Sequence, residues 1–258
     1  MSVLCVVDCV WGVTQLHDVV FVVCYRSSTI LRFNATTHQR LTDIVVKGLK
    51  YPWDIAACEQ TSLVYVADSG CIWRMSADGA DTRNWIPSSL DDVFEPWTLS
   101  VTSTRLLVTS WLTNQLTQFD ADGNELRRVY LPDYMDPRHA VESPTGTFIV
   151  SHENTQLDQW QVSEVNTGGG VLRRFTRSHL SSLGWTLHVA VDSHGNIFVA
   201  DSNNGRILLL DAHLTLRRVI IDEHQLNYKP WCLCYREQSG QLVVGLDEGR
   251  VLVFDVVN

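Results

Sequence analysis

The chain has 258 residues, of which 45% are hydrophobic and 19% charged, and its 20 Lys+Arg against 29 Asp+Glu leave a net charge of −9. A chain of this length and apolar content can bury a core, which excludes disorder, collagen and coiled coil, and its acidic balance disfavours nucleic acid as a partner. Apolar runs such as 18–24 stop well short of the roughly 20 residues a helix needs to cross a bilayer, so no membrane partner is expected.

From the N-terminus, Val3–Val7 is a short apolar run preceded by no basic segment and followed by no small-residue cleavage site, so no secretory signal is read there. The seven cysteines are odd in number and lack C-x-x-C spacing, which suits reduced, mostly buried thiols. Both features point to a cytoplasmic protein.

A period then sets in. Val10-Trp11-Gly12-Val13, Pro52-Trp53-Asp54-Ile55, Pro96-Trp97-Thr98-Leu99, Pro137-Arg138-His139-Ala140, Trp185-Thr186-Leu187-His188 and Pro230-Trp231-Cys232-Leu233 each open an apolar run. A second run follows each and ends at Cys24, Asp68, Ser110, Ser151, Asp201 and Gly245, at intervals of 44, 42, 41, 50 and 44 residues. Third runs are expected at Thr29–Phe33, Cys71–Met75, Gln115–Phe119, Gln156–Trp160, Arg206–Leu210 and Arg250–Phe254. A turn such as Asp78-Gly79 and a fourth run complete the unit. Alternating runs of about five residues punctuated by Asp, Gly and Asn are antiparallel strands, and four of them per repeat of this length make a propeller blade.

The expected fold is therefore all-β, one domain over 1–258: a six-bladed β-propeller of four-stranded antiparallel blades. The last unit holds only three strands, so Val3–Val7 should complete it and close the ring. Gly168-Gly169-Gly170 in the longer fourth unit suggests a permissive, flexible outer hairpin, since no helix follows to make it a phosphate cradle.

Residues 189–207, with Asp192, Gly195, Asn196, Asp201 and Gly205 between apolar pairs, resemble an NHL repeat, and Tyr65–Ser69 with Ile72 is a degenerate second copy. The resemblance extends over the chain as six units and implies an NHL-like propeller. Such propellers bind protein or RNA, and related six-bladed ones are lyases or hydrolases, so function has to come from the site.

In a propeller the first strand of each blade lines the channel, and the loops leading into it share one rim with the loops joining strands two and three. That rim receives Trp11, Trp53, Trp97, Arg138, Trp185 and Trp231, one per blade, joined by Tyr25, Trp111 and His152. Two readings stand: the Trp residues fill the wedges between blades, or they wall a pocket with one guanidinium that takes a protein, peptide, glycan or small ligand. Asp54, Asp68, Glu153, Asp201 and Asp247 at the same mouth would favour a neutral or cationic ligand, although Asp68 and Asp201 match the strand-ending Asp of the NHL repeat, which implies that they brace the turn by accepting backbone N–H bonds.

One step deeper lie Gly12, Asp54, Thr98, His139, His188 and Cys232. Asp54, His139 and His188 are candidate ligands for a divalent metal in the channel, which would support a hydrolase or lyase, although groups from blades two, four and five risk standing too far apart. No nucleophile elbow, zinc-protease helix, phosphate loop or dinucleotide fingerprint is present. Arg127-Arg128, Arg173-Arg174 and Arg217-Arg218 recur on fourth strands, where charge protects sheet edges and leaves RNA binding as a second alternative. The expectation is a non-catalytic binding module without a cofactor, acting through its Trp-rich rim.

Overall fold

The computed structural model describes residues 2–5, 9–86, 95–110, 113–175, 183–184 and 186–256. Six four-stranded antiparallel sheets form its blades. Blade one comprises β2 (Val10–Leu16), β3 (Val19–Cys24), β4 (Thr29–Asn34) and β5 (Ile44–Val45). Blade two comprises β6 (Asp54–Cys58), β7 (Leu63–Asp68), β8 (Cys71–Ser76) and β9 (Thr82–Ile86). Blade three runs β10 (Pro96–Thr102), β11 (Arg105–Ser110), β12 (Gln115–Phe119) and β13 (Glu125–Tyr130), and blade four β14 (Met135–Glu142), β15 (Phe148–Asn154), β16 (Gln159–Val165) and β17 (Val171–Arg174). Blade five is β18 (Thr186–Val191), β19 (Ile197–Asp201), β20 (Arg206–Leu210) and β21 (Leu216–Ile221). Blade six is β22 (Pro230–Arg236), β23 (Gln241–Leu246), β24 (Arg250–Asp255) and, as its outermost strand, β1 (Ser2–Cys5).

The second strand of each blade is the most buried, because it has a strand on each side and a blade on each face. Val20 to Cys24, Val64 to Asp68 and Ile197 to Asp201 are all buried. The core is accordingly divided into clusters lying between sheets: Phe21, Ile30, Ile55, Val64 and Met75 join blades one and two, and Phe198, Ile207, Leu233 and Val244 join five and six. Clusters of this kind make each blade depend on its neighbours, as expected of a repeat whose unit cannot bury its own faces.

Two expectations need correction in blade four. Residues 156–158 form the turn rather than the third strand, because the Asn154 carboxamide oxygen accepts from the Gln156 and Leu157 amides at 3.2 and 3.1 Å and Asp158 takes a positive φ of 51°. The triple glycine is also a braced turn. Asn166 Oδ1 accepts from the Gly168 and Gly170 amides, each at 2.9 Å. Gly169 has φ of 86°, and a Cβ there would overlap the Tyr130 carbonyl oxygen of blade three. The glycine is needed for close approach between blades.

Closure rests on β1, whose Ser2, Val3, Leu4 and Cys5 pair with Val253, Leu252, Val251 and Arg250. Leu4 packs into the cluster of Val10, Val13, Val22 and Val243, which spans the seam between blades six and one. Deleting residues 1–8 should therefore lower unfolding stability by about 4 kcal/mol, from one buried Leu and the lost ladder. It should also turn the monomer towards aggregation in size-exclusion chromatography. An unchanged denaturation midpoint would show that the seam holds without this strand.

Candidate functional site: an aromatic plug over a histidine floor

The aromatic rim arises from a repeated irregularity. Pairing of the first strand with the second slips by one residue between Val10 and Gly12, Pro96 and Thr98, Pro137 and His139, and Pro230 and Cys232. The residues left out of register are Trp11, Trp97, Arg138 and Trp231. A bulge turns its extra side chain out of the pleat, which here swings each one over the channel mouth. Blade two reaches the same result differently: β6 begins at Asp54, and Trp53 donates its amide to the Ala67 carbonyl at 2.9 Å.

The rings do not wall a pocket. Trp11 lies 5.2 Å from Trp53, 6.0 Å from Trp97 and 4.8 Å from Trp231, centroid to centroid, each edge to face. Trp53 and Trp97 are 4.7 Å apart, and Tyr25 stacks on Trp11 at 5.1 Å while reaching Tyr51 at 6.1 Å. These are contact distances that leave no room for a ligand between the touching rings. Blades one, two, three and six thus contribute to a plug whose rings remain half-exposed on their outer side. Trp53 also packs against the core cluster between blades two and three, so the rim is in part packing and does not form a cage. Trp111 and Trp185 lie outside the described residues.

Arg138 supplies the mouth with a neutralised charge. Its Nη2 stands 2.9 Å from Asp136 and 3.4 Å from Glu153, and its guanidinium lies 5.3 Å from the Trp160 ring. Burial raises the Asp136 carboxyl above its ordinary range, with Arg138 pulling the other way and Glu153 adding to the rise. His152, expected on the rim, is fully buried: β15 runs on to Asn154, so the residue lies within the sheet, its Nε2 2.9 Å from Ser163 Oγ.

Of the carboxylates placed at the mouth, Asp68 and Asp201 are turned inward and brace their turns, the role their match to the strand-ending Asp of an NHL repeat implies. Asp68 is buried and accepts from the amides of Lys50, Tyr51 and Ser69 at 3.1, 2.6 and 2.9 Å, and from the Trp73 indole. Asp201, also buried, accepts from the Gly184 amide at 2.8 Å and pairs with Arg206 at 2.6 Å. Both hold loops in place and offer no free charge to a ligand.

Beneath the plug, Asp54, Thr98, His139, His188 and Cys232 form a buried ring. Their hydrogen bonds run from blade to blade. Asp54 Oδ1 accepts from its neighbour Ile55 and Oδ2 from the Leu99 amide of blade three, both at 2.8 Å. The Thr98 hydroxyl donates to the Arg138 carbonyl at 2.8 Å. His139 Nδ1 accepts from the Val189 amide of blade five, so its Nε2 carries the proton towards the Leu99 carbonyl, both at 3.3 Å. His188 Nε2 stands 3.4 Å from Asp54 Oδ2, and the two imidazoles stack with centroids 3.6 Å apart. Gly12 completes the ring, since any Cβ there would strike Asp54 and the Ile55 amide.

Ligand atoms of Asp54, His139 and His188 fall within 4.8 Å of one another, closer than their spread over three blades suggested. In this conformation most of their donor atoms are engaged elsewhere, and the His188 Nδ1 is the one of the trio buried without a partner among the described residues. Both His139 nitrogens are committed to backbone groups, and stacked imidazoles direct their lone pairs in parallel planes rather than to a common centre. Burial, and then the neighbouring His188, hold the His139 imidazole well below its ordinary pKa. It is a neutral strut.

Below the trio the channel widens into a cavity of about 440 Å³ with apolar walls, among them Val13, Ile55, Leu99 and Leu233. It runs to the turns at Glu59, Ser103, Asp192 and Glu237, on the face opposite the plug. The channel is thus closed at the aromatic end.

No family model matches the chain, and no curated protein matches it in sequence. The NHL likeness therefore rests on the residues of blade five. Similar solved structures include hydrazine synthase of Kuenenia stuttgartiensis, at TM-score 0.70 and 12% identity over 97% of this chain and 96% of that one. A nidogen/laminin complex matches at 0.68 and 17% over 88% and 85%. The WD40 propeller domain of Doa1 matches at 0.66 and 15% over 98% and 94%. An inactive variant of virginiamycin B lyase from Staphylococcus aureus with quinupristin matches at 0.69 and 11% over 96% and 80%. A synthase, a nidogen/laminin complex, a WD40 propeller domain and a lyase share this fold, so it selects no activity.

Two measurements probe the ring and the wall behind it. Asp54→Ala leaves the buried Leu99 amide without an acceptor and should lower stability by about 3 kcal/mol. Prolonged dialysis against EDTA should leave the wild-type melting temperature unchanged, whereas a drop that zinc or calcium restores would make the trio a metal centre. Burial lowers the His152 imidazole to about 4. Its folded pKa lies below the unfolded value of about 6.5, so the stability it confers is complete above that pH and is lost as pH falls towards 4, by about 3 kcal/mol in all. Guanidinium midpoints at pH 7 and pH 5 should differ for the wild type and differ less for His152→Gln.

Proposed function

We propose that this propeller is a binding module that docks a segment of another protein on its aromatic face. The observation that carries this reading is the plug itself. Four tryptophans and two tyrosines from four blades meet at one mouth and keep their outer surface half-exposed, where large amphipathic rings give the most contact energy per residue ordered. Trp and Tyr on a rigid strand scaffold are the residue types that dominate interface hot spots. Similar structures include a complex between nidogen and laminin. The alternative of a metal-dependent hydrolase or lyase has the Asp54, His139 and His188 trio in its support, and the donor atoms of that trio are largely committed to backbone and to one another.

A peptide array probed with the purified protein tests the reading through Tyr51, which is 39% exposed and whose truncation leaves the inner rings in place. Peptides that bind wild type should lose about tenfold in affinity to Tyr51→Ala, the equivalent of about 1.4 kcal/mol. Their binding should quench tryptophan fluorescence. Binding untouched by Tyr51→Ala and weakened by Glu59→Lys would move the docking site to the opposite mouth.

A further inference from the structure

The chain contains only three lysines, Lys47, Lys50 and Lys229, and all three lie in the loops leading into the inner strands β6 and β22, on the aromatic face. Two arginines join them there: Arg26 in the turn between β3 and β4, and Arg250 at the start of β24. All five side chains are exposed, and among the described residues none of the five is in an ion pair. Several arginines elsewhere are paired, as in Arg40 with Asp43, Arg105 with Glu142, Arg173 with Glu164 and Arg217 with Asp211, while among the described residues Arg83 and Arg127 stand singly and exposed on the outer strands of blades two and three. In a chain of net charge −9, all three lysines and these two arginines thus meet on one face of the adjacent blades six, one and two.

They are interleaved with the rings. The Arg26 guanidinium lies 5.0 Å from the Tyr25 centroid, and that of Arg250 lies 4.9 Å from Tyr228. Tyr51 follows Lys50, and Trp231 follows Lys229 by two residues. The described carboxylates in the same turns offset part of this charge. Asp68 is buried on backbone amides, and Asp247 accepts from the Lys229 amide at 3.2 Å, leaving Glu248 exposed. Asp222 and Glu223 stand at the far, blade-five end of the segment before β22, where Asp222 caps a short helical turn. Across the mouth, blade four presents Asp136 and Glu153 around Arg138.

From this juxtaposition we propose that the sector of blades six, one and two binds an acidic peptide segment, its carboxylates meeting Arg26, Lys50, Lys229 and Arg250 and its apolar side chains lying on the Trp11, Trp53 and Trp231 rings. The proposal rests on the docking role of the aromatic face and specifies what docks there. Charge complementarity supplies the choice: exposed cations, outside any ion pair among the described residues, stand beside the rings, so carboxylates spaced to meet them gain attraction close by. A long polyanion would also meet the repulsion of the whole chain.

The test uses three labelled peptide libraries on one frame of spaced Trp and Leu, with Glu, Gln or Lys at every intervening position, read by fluorescence polarisation against the full chain. The Glu library should bind about tenfold tighter than the Gln library, and its advantage should shrink between about 0.05 and about 0.3 M NaCl. Lys50→Glu with Lys229→Glu should abolish that advantage, while Asp122→Lys, an exposed change in a turn on the opposite face, should not. Equal binding of Glu and Gln libraries, both sensitive to Tyr51→Ala, would overturn the acidic preference and leave the aromatic docking face standing. Binding of no library would overturn both. A labelled oligouridylate that bound tighter than the Glu library and lost affinity in the same double variant would overturn the peptide assignment in favour of RNA.

Discussion

Everything in this molecule depends on closing a ring of sheets with a strand borrowed from the other end of the chain. The pairing of Ser2 to Cys5 with Val253 to Arg250 gives blade six its fourth strand, and no blade can hold its position unless the circle is complete. Blade-to-blade clusters such as Phe21 with Ile55 and Phe198 with Leu233 bury surface only when the sheets are held side by side. The buried polar ring around Asp54 adds direction to that non-directional force, since Asp54 ties blade two to three and His139 ties four to three and five. A repeat protein without such ties could slide its blades; here the inner strands are locked by hydrogen bonds that have few alternatives in a dry interior.

The blades, their order and the closing strand were legible in the sequence because each depends on local signals: alternation with a period of two, turn residues, and a surplus run at the start matching a deficit at the end. Blade four was misread at its third strand for a local reason too, as Asn154 builds its turn with a side-chain oxygen that apolar patterning ignores. His152 was placed on the rim because strand ends set by pattern alone can err by a few residues, and here β15 runs on to Asn154.

The site was only half legible. Repeat position correctly brought Trp11, Trp53, Trp97 and Trp231 to one mouth, but whether they enclose space or fill it depends on the bulges that swing them inward. The distance between Asp54, His139 and His188 follows from the width of the channel, a property of all six blades together that no single repeat encodes. The position of the lysines, by contrast, was plain in the sequence. A count of charges by residue type and repeat position, rather than a net charge, finds all three lysines in the loops leading into the inner strands of blades two and six.

The aromatic plug has a consequence beyond contact with a partner. Its rings come from both sides of the seam, with Trp231 of blade six 4.8 Å from Trp11 of blade one, and indoles held this close at fixed angles couple their electronic transitions. That coupling exists only while the ends of the chain are joined, because the two rings belong to the first and last blades. The part of the molecule's circular dichroism that is lost on replacing Trp231, as distinct from the coupling of Trp53 with Trp11 and Trp97 inside the ring, is therefore an optical signature of closure.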